Sequence, residues 1–363
     1  MKLSQTLPDF PWDTLAQAKA RACQHPGGIA DLSVGTPVDP TPAIVCEALA
    51  AAAQAPGYPT VWGTAQLRQA VIGYMTRRWN ACGLDEQAVT TAVGTKEVVA
   101  WLPTLLALGD HDTVVIPRIA YPTYEVGALM AHTLIERCDD PDEVQSHPRL
   151  IWINSPANPH GAIASLDLLR RWVAFARQEG AVLAADECYA EFAYDAPAYS
   201  VLDPQVNGGS LDGLLAVHSL SKRSNMAGYR AGFIAGDPAV VSELLAVRKH
   251  LGMMVSTPVQ AAMVAALDDD EHVRVQRARY AARRELLRSA LEQAGFRIDH
   301  SEGSIYLWAT QGTSGRESVD WLAERGILVA PGAFYGPDSG DHVRLSLTAT
   351  DERIASAAER LRG

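Results

Sequence analysis

Short apolar runs recur along the chain with helical patterns between them, and this alternation restricts the fold more than any other feature. Thr113-Val114-Val115-Ile116, Leu150-Ile151-Trp152-Ile153, Ala181-Val182-Leu183-Ala184-Ala185 and Leu214-Leu215-Ala216-Val217 are apolar almost throughout. A strand with one wet face would alternate polar and apolar residues, so these read as strands buried on both faces. A helix over 165–178, with Ser165 as cap and Gly180 as stop, separates two of them. The pattern predicts an α/β fold with a mostly parallel sheet covered by helices on both sides. Ligands of such sheets bind beyond the C-terminal strand ends. Tyr121, Asn158, Asp186, Tyr189 and Lys222 all follow strand ends, so one ligand can meet them all.

A length of 363 residues implies a large domain with a smaller companion. Beyond residue 296 the pattern changes to α+β, with strands over 305–309, 327–330 and 342–347 and helices over 317–324 and 351–361. The expected division is 1–41 as an N-terminal arm and part of the small domain, 42–255 as the large domain, and 256–363 as the small C-terminal domain. With 48% hydrophobic and 20% charged residues the composition is that of a soluble globular protein, and a net charge of −11 argues against nucleic acid as a partner. Five scattered cysteines without a C-x-x-C pair, and histidines without H-E-x-x-H, point to neither a disulfide framework nor a metal site. Residues 1–5 lack the apolar core of a signal peptide, and the longest apolar stretch, over 98–108, contains Pro103 and is too short for a bilayer. A cytoplasmic enzyme that touches no membrane is the expectation.

The most informative segment runs from Ser219 to Gly232. Lys222 sits past a strand end, in a loop of small and polar residues. A solitary loop lysine is usually a solvated charge, and Ser219-x-x-Lys222 also fits the S-x-x-K of penicillin-binding enzymes. That second pattern needs S-D-N and K-T-G, which the chain lacks. A lysine so placed can also form a Schiff base with an aldehyde, while Ser219, Ser221 and Arg230 suit a phosphate. Pyridoxal phosphate is an aldehyde that carries a phosphate.

Three other stretches bear on this reading. Gly94-Thr95-Lys96 opens a helix over 97–107, where free N–H groups and a hydroxyl suit an anion. Gly57-Tyr58-Pro59-Thr60-Val61-Trp62-Gly63 is a turn rich in aromatic residues, either a loop of packed rings or a lobe reaching into a neighbouring site. The helix over 271–294 carries six arginines but is interrupted by Glu271, Glu285 and Glu292, and reads as a solvated helix rather than a nucleic-acid face.

Together these residues resemble the class I/II aminotransferases of the pyridoxal-phosphate-dependent fold type I, over nearly the whole chain. Ser219-x-Ser221-Lys222 with Gly228-Tyr229-Arg230-x-Gly232 is similar to the family's Schiff-base segment, Asn158-Pro159-His160-Gly161 to its N-P-x-G, and Asp186-Glu187-x-Tyr189 to its D-E-x-Y. Threonine is common where His160 stands. Within the family the chain is most similar to N-succinyldiaminopimelate aminotransferases, in Leu32-Ser33-Val34-Gly35-Thr36-Pro37 and Gly303-Ser304-Ile305-Tyr306-Leu307-Trp308.

The resemblance implies a role for each residue. Lys222 would hold the cofactor and shuttle the substrate proton. Asp186 would pair with the pyridine nitrogen, and Tyr189 and Asn158 with the phenolic oxygen. Tyr121 would stack on the ring. Thr95, Ser219 and Arg230 would hold the phosphate, helped by backbone around Gly94 and Lys96. Tyr58 would reach the phosphate of a neighbouring subunit, which implies a homodimer. Arg344 would grip the substrate carboxylate, with Gly35 alongside. The implied reaction is ping-pong amino exchange between an amino acid and a 2-oxo acid, with N-succinyl-LL-2,6-diaminopimelate and glutamate as the expected pair. An aspartate or aromatic-type aminotransferase, a cysteine-conjugate β-lyase and a cofactor-sensing regulator stay open. For a succinylated substrate, Arg118, Arg223, Arg248 and Lys249 are the candidate extra cations.

Overall fold

The computed structural model describes residues 7–363, so the leader reading of residues 1–5 lies outside the described residues. In chain order the strands are β1 (Ala30–Asp31), β2 (Val89–Ala92), β3 (Thr113–Ile116), β4 (Leu134–Arg137), β5 (Pro148–Asn154), β6 (Val182–Asp186) and β7 (Leu214–Ser219). They continue as β8 (Gly232–Gly236), β9 (Arg297–Ile298), β10 (Tyr306–Thr310), β11 (Ile327–Leu328), β12 (Ala330–Pro331) and β13 (Val343–Ser346). Seven of them form the central sheet in the order β2-β8-β7-β6-β5-β3-β4. The β4-β3-β5-β6-β7 pairings are parallel, and β8 runs antiparallel to both its neighbours.

The apolar runs explain why this sheet is buried twice over. Successive side chains of a strand point to opposite faces. Leu214 and Ala216 enter one core with Trp172 and Val173, while Leu215 and Val217 enter another with Val98 and Leu102. All four strand residues are fully buried, each large one contributing about 1.5–3 kcal/mol of apolar transfer. The covering helix Leu166–Glu179 begins where the Ser165 hydroxyl accepts from the Leu168 N–H at 3.1 Å, and ends at Gly180 in the left-handed region. It buries Leu169, Trp172, Val173 and Ala176, the i, i+3, i+4, i+7 stripe of an amphipathic helix.

A second sheet, β12-β13-β10-β9, is antiparallel throughout and packs under Glu271–Gln293 and Asp351–Arg362. The run over 327–330 does not form one strand. It splits, and β11 turns away to pair in parallel with β1, which ties the N-terminal arm to this smaller unit. The helix Thr257–Asp268 packs on Ala43–Ala51 and Ala65–Trp79 in the large core. We therefore propose that the division falls between this helix and Glu271–Gln293 rather than at residue 256.

Three further features differ from the sequence reading. Leu134–Arg137 is an edge strand whose half-exposed residues carry no apolar run. Lys222 lies in a short helix, Leu220–Arg223, rather than an open loop, because the Ser219 hydroxyl caps it by accepting from Ser221 N–H at 3.1 Å. The arginine-rich helix is not simply solvated. Arg283 is buried between Asp39 and Asp351, at 2.8 and 2.6 Å, and Arg284 is buried against Asp195 and the Ser301 carbonyl. These ion pairs fasten the helix to its neighbours, and their acidic partners are remote in sequence. Among the described residues no helix is long and apolar enough to cross a membrane.

Candidate active site

A cavity of about 620 Å³ opens where β5, β6 and β7 end and the smaller sheet faces them. Gly35, Thr95, Lys96, Tyr121, Asn158, Asp186, Tyr189, Ser219, Lys222, Arg230 and Arg344 all line it. Two expected residues do not. Gly94 lies directly behind Arg230: its backbone is left-handed, and a Cβ there would collide with the guanidinium. Tyr58 is 98% exposed and stands outside this chain's cavity. In the same turn Trp62 packs as the packed-ring reading expected, donating to the Val89 carbonyl at 2.8 Å.

Asp186 is the last residue of β6 and is nearly buried. Tyr124 donates its hydroxyl to Oδ2 at 2.8 Å, and the Cys188 N–H donates to Oδ1 at 3.1 Å. Burial, then the neighbouring Asp186 charge, raises Tyr124 well above its ordinary range and keeps it a donor. Among the described residues no ion pair engages Asp186. A buried carboxylate without a counter-charge calls for a cationic partner. Directly beneath it, Glu187 is locked by His218, Ser200 and the Val201 N–H at 2.8–3.0 Å, which fixes the ends of β6 and β7 together.

Opposite in sign are the cations. Lys222, Lys96 and Arg230 line the cavity, and among the described residues none has an ion-pair partner. Arg230 takes a left-handed backbone and lies beside the start of the helix Thr95–Leu105. That start has no side-chain cap, so its first N–H groups are available to an anion.

Arg344, on β13, is 2% exposed. It donates to Asn158 Oδ1 at 2.8 Å and to the Ser33 carbonyl at 2.7 Å, while its Nε has no partner. The rings of Tyr306 and Tyr335 flank its guanidinium at 4.0 and 5.0 Å.

Residues 28–361 match the profile of aminotransferase class I and II. The chain belongs to this family. It is 58% identical over 360 residues to the probable aminotransferase Rv1178 of Mycobacterium tuberculosis, covering 99% of this chain and 86% of that protein. It is 56% identical over 356 residues to the 4-dedimethylamino-4-oxo-anhydrotetracycline transaminase OxyQ of Streptomyces rimosus, covering 98% and 99%. Among solved structures, the probable N-succinyldiaminopimelate aminotransferase of Thermus thermophilus superposes with a TM-score of 0.87 at 27% identity, covering 97% of this chain and 99% of that one. The architecture is that of fold type I, and the family's cofactor is pyridoxal phosphate.

The aminotransferase's own atoms fit that group. An unpaired buried carboxylate suits a protonated ring nitrogen. Unpaired Arg230 beside an uncapped helix start suits a phosphate. A lysine amine in the same cavity suits an aldehyde.

Several contacts escaped the sequence reading. Tyr124 stands one helical turn after Tyr121, a spacing that offered a signal. Cys188, within Asp186-Glu187-Cys188-Tyr189, donates its thiol to Thr95 Oγ1 at 3.1 Å and joins two expected elements. Phe10 and Trp12, from the arm, reach the mouth and gave no signal in sequence. The four candidate extra cations are not there. Arg118 pairs with Glu143 at the surface, Arg248 is buried on Glu97, Arg223 is buried near Glu191, and Lys249 is absent from the lining. Each was close to a motif in sequence, but its own carboxylate or helix face carries it elsewhere.

Proposed function

We infer that this aminotransferase moves the amino group of an amino acid to 2-oxoglutarate by a ping-pong exchange, with the residues above in their expected roles. The observation that carries the reading is that Asp186, Lys222 and Arg230 share one cavity and, among the described residues, none of them is in an ion pair. Bound pyridoxal phosphate supplies an aldehyde for the amine and a ring that withdraws electrons from the substrate carbon. Asp186, aimed by Tyr124 and the Cys188 N–H, would hold a proton on the ring nitrogen. Tyr189 and Asn158 would hydrogen-bond the cofactor's phenolic oxygen, and Tyr121 would pack on its ring. Ser219, Thr95, Arg230 and the backbone around Gly94 and Lys96 would hold its phosphate. Lys222 Nζ takes a proton from the substrate carbon and returns it on the other side of the exchange. Arg344 receives the α-carboxylate beside Gly35; its guanidinium is already desolvated and fixed by Asn158 and Ser33, so little order is lost on binding.

For the substrate pair, N-succinyl-LL-2,6-diaminopimelate and glutamate is the first reading. Lys96 at the mouth is the cation that serves a distal carboxylate. A bulkier ring-bearing oxo substrate is the second. Phe10 and Trp12 favour it, together with the 56% identity to a transaminase named for an anhydrotetracycline ketone. The working form is a cytoplasmic homodimer, in which the exposed Tyr58 enters the partner's phosphate site.

An absorption titration tests the reading. Glutamate should bleach the visible band of the holoenzyme and 2-oxoglutarate should restore it. A band that glutamate leaves unchanged overturns the exchange. Restoration by N-succinyl-2-amino-6-oxopimelate separates the first substrate reading from the second.

A further inference from the structure

Tyr306 joins two groups that the exchange uses separately. It opens β10, beside β13, and is 3% exposed. In the antiparallel register Trp308 lies opposite Arg344 and Tyr306 opposite Ser346, so Tyr306 is the diagonal neighbour of Arg344 on the same sheet face. Its ring lies 4.0 Å from the Arg344 guanidinium carbon. Its hydroxyl is 3.2 Å from the Tyr189 hydroxyl, which belongs to the large-sheet side of the cavity. Gly35 closes over the same hydroxyl: a Cβ at that position would collide with it. One phenol therefore touches the carboxylate grip, the large-sheet tyrosine and the loop at Gly35.

We propose that Tyr306 is a positioning residue with two separable tasks. Its hydroxyl anchors Tyr189, and its ring fixes the Arg344 guanidinium for the substrate carboxylate without taking up any of its N–H donors. This rests on the aminotransferase reading above. Among the described residues Arg344 has hydrogen bonds at Nη1 and Nη2 only, and the rings of Tyr306 and Tyr335 supply cation–π attraction without consuming a donor. A carboxylate in the same place would neutralise the arginine and compete with substrate. At the other end, a hydroxyl chain from Tyr306 to Tyr189 polarises the second phenol and makes it the stronger donor. Burial, then the neighbouring Tyr306, raises Tyr189 well above its ordinary range, so it stays a phenol while donating.

The two tasks predict different losses. Tyr306→Phe keeps the ring and removes the hydroxyl. Tyr189 becomes a weaker donor to the cofactor's phenolic oxygen, whose most negative form is then less favoured. The pH midpoint of the bound cofactor's visible band should rise by about 0.5 unit, while KM for glutamate stays within about twofold. Tyr306→Leu removes both contacts, and KM should rise about tenfold, more than kcat falls. Thermal unfolding of the isosteric phenylalanine variant should match the parent, which separates positioning from folding. If the parent enzyme shows no glutamate bleaching, the function reading fails. If it bleaches but Tyr306→Phe leaves the midpoint unmoved, or Tyr306→Leu leaves KM unmoved, the inference about Tyr306 fails alone.

Discussion

On the central-sheet side of the cavity, Asp186 and Ser219 end parallel strands and Lys222 follows three residues later. On the other side, Arg344 and Tyr306 lie within antiparallel strands and project from one sheet face. The first wall is made of chain ends, where backbone groups lose their strand partners and side chains leave the sheet. Its chemistry clusters in consecutive residues, 186–189 and 219–232. The second wall takes alternate residues from strands nearly forty positions apart, and its guanidinium is held by aromatic faces and a backbone carbonyl rather than by acids. A parallel sheet thus concentrates reactive groups at an edge, whereas an antiparallel sheet spreads them over a face that only pairing assembles.

Substitutions on the two walls should fail differently. Lys222→Ala should show the largest effect, a loss of about a thousandfold or more in kcat with the fold retained, because proton transfer at the substrate carbon has no substitute; retention of more than a tenth of the activity would break the assignment. Arg344→Lys on the opposite wall should cost about a hundredfold in kcat/KM, mostly through KM. A lysine keeps the charge but loses the planar fork that bonds Asn158 and Ser33 together. Equal losses in kcat for these two variants would erase the contrast between the walls.

Smaller effects sharpen it. Tyr124→Phe leaves Asp186 with one donor fewer, and about a tenfold fall in kcat is expected, with weaker cofactor retention in dialysis. His160 lies where the walls meet, its ring 5.1 Å from that of His300. Burial, then His300 and His342, lowers it from 6.5 to about 3. The sign follows from linkage: below pH 6.5 the unfolded chain takes up a proton that the folded protein refuses, so stability falls as pH drops from 6.5 toward 3. His160 retains some solvent contact, which reduces the effect. Denaturant unfolding at pH 7 and pH 5 should show the parent losing about 1 kcal/mol more than His160→Thr over that interval. Parallel losses in the two proteins would show that His160 does not titrate in this way.

Legibility followed the same division. The buried strands could be read because residues covered on both faces must be apolar throughout. Lys222, Asp186 and Asn158 could be placed because they follow such strands within a few residues. Leu134–Arg137 was not legible, since an edge strand needs no apolar signature. The split of the 327–330 run was not legible either, because Ala330 and Leu328 look alike until their partners β13 and β1 are known. The extra cations failed for a related reason. Whether an arginine is free or neutralised depends on acids such as Glu97 or Glu191, which lie far away in sequence.

By itself, the sequence determined the fold class, the cofactor chemistry and most of the residues at the strand ends, because backbone exhaustion and apolar patterning are local consequences of residue order. Only the tertiary structure decided which charges remain unpaired. Among the described residues it left the buried Asp186 and the guanidinium of Arg230 without ion-pair partners, and it set Tyr306 between Tyr189 and Arg344. Electrostatic energy depends on distance and burial, and neither is defined until distant segments have packed.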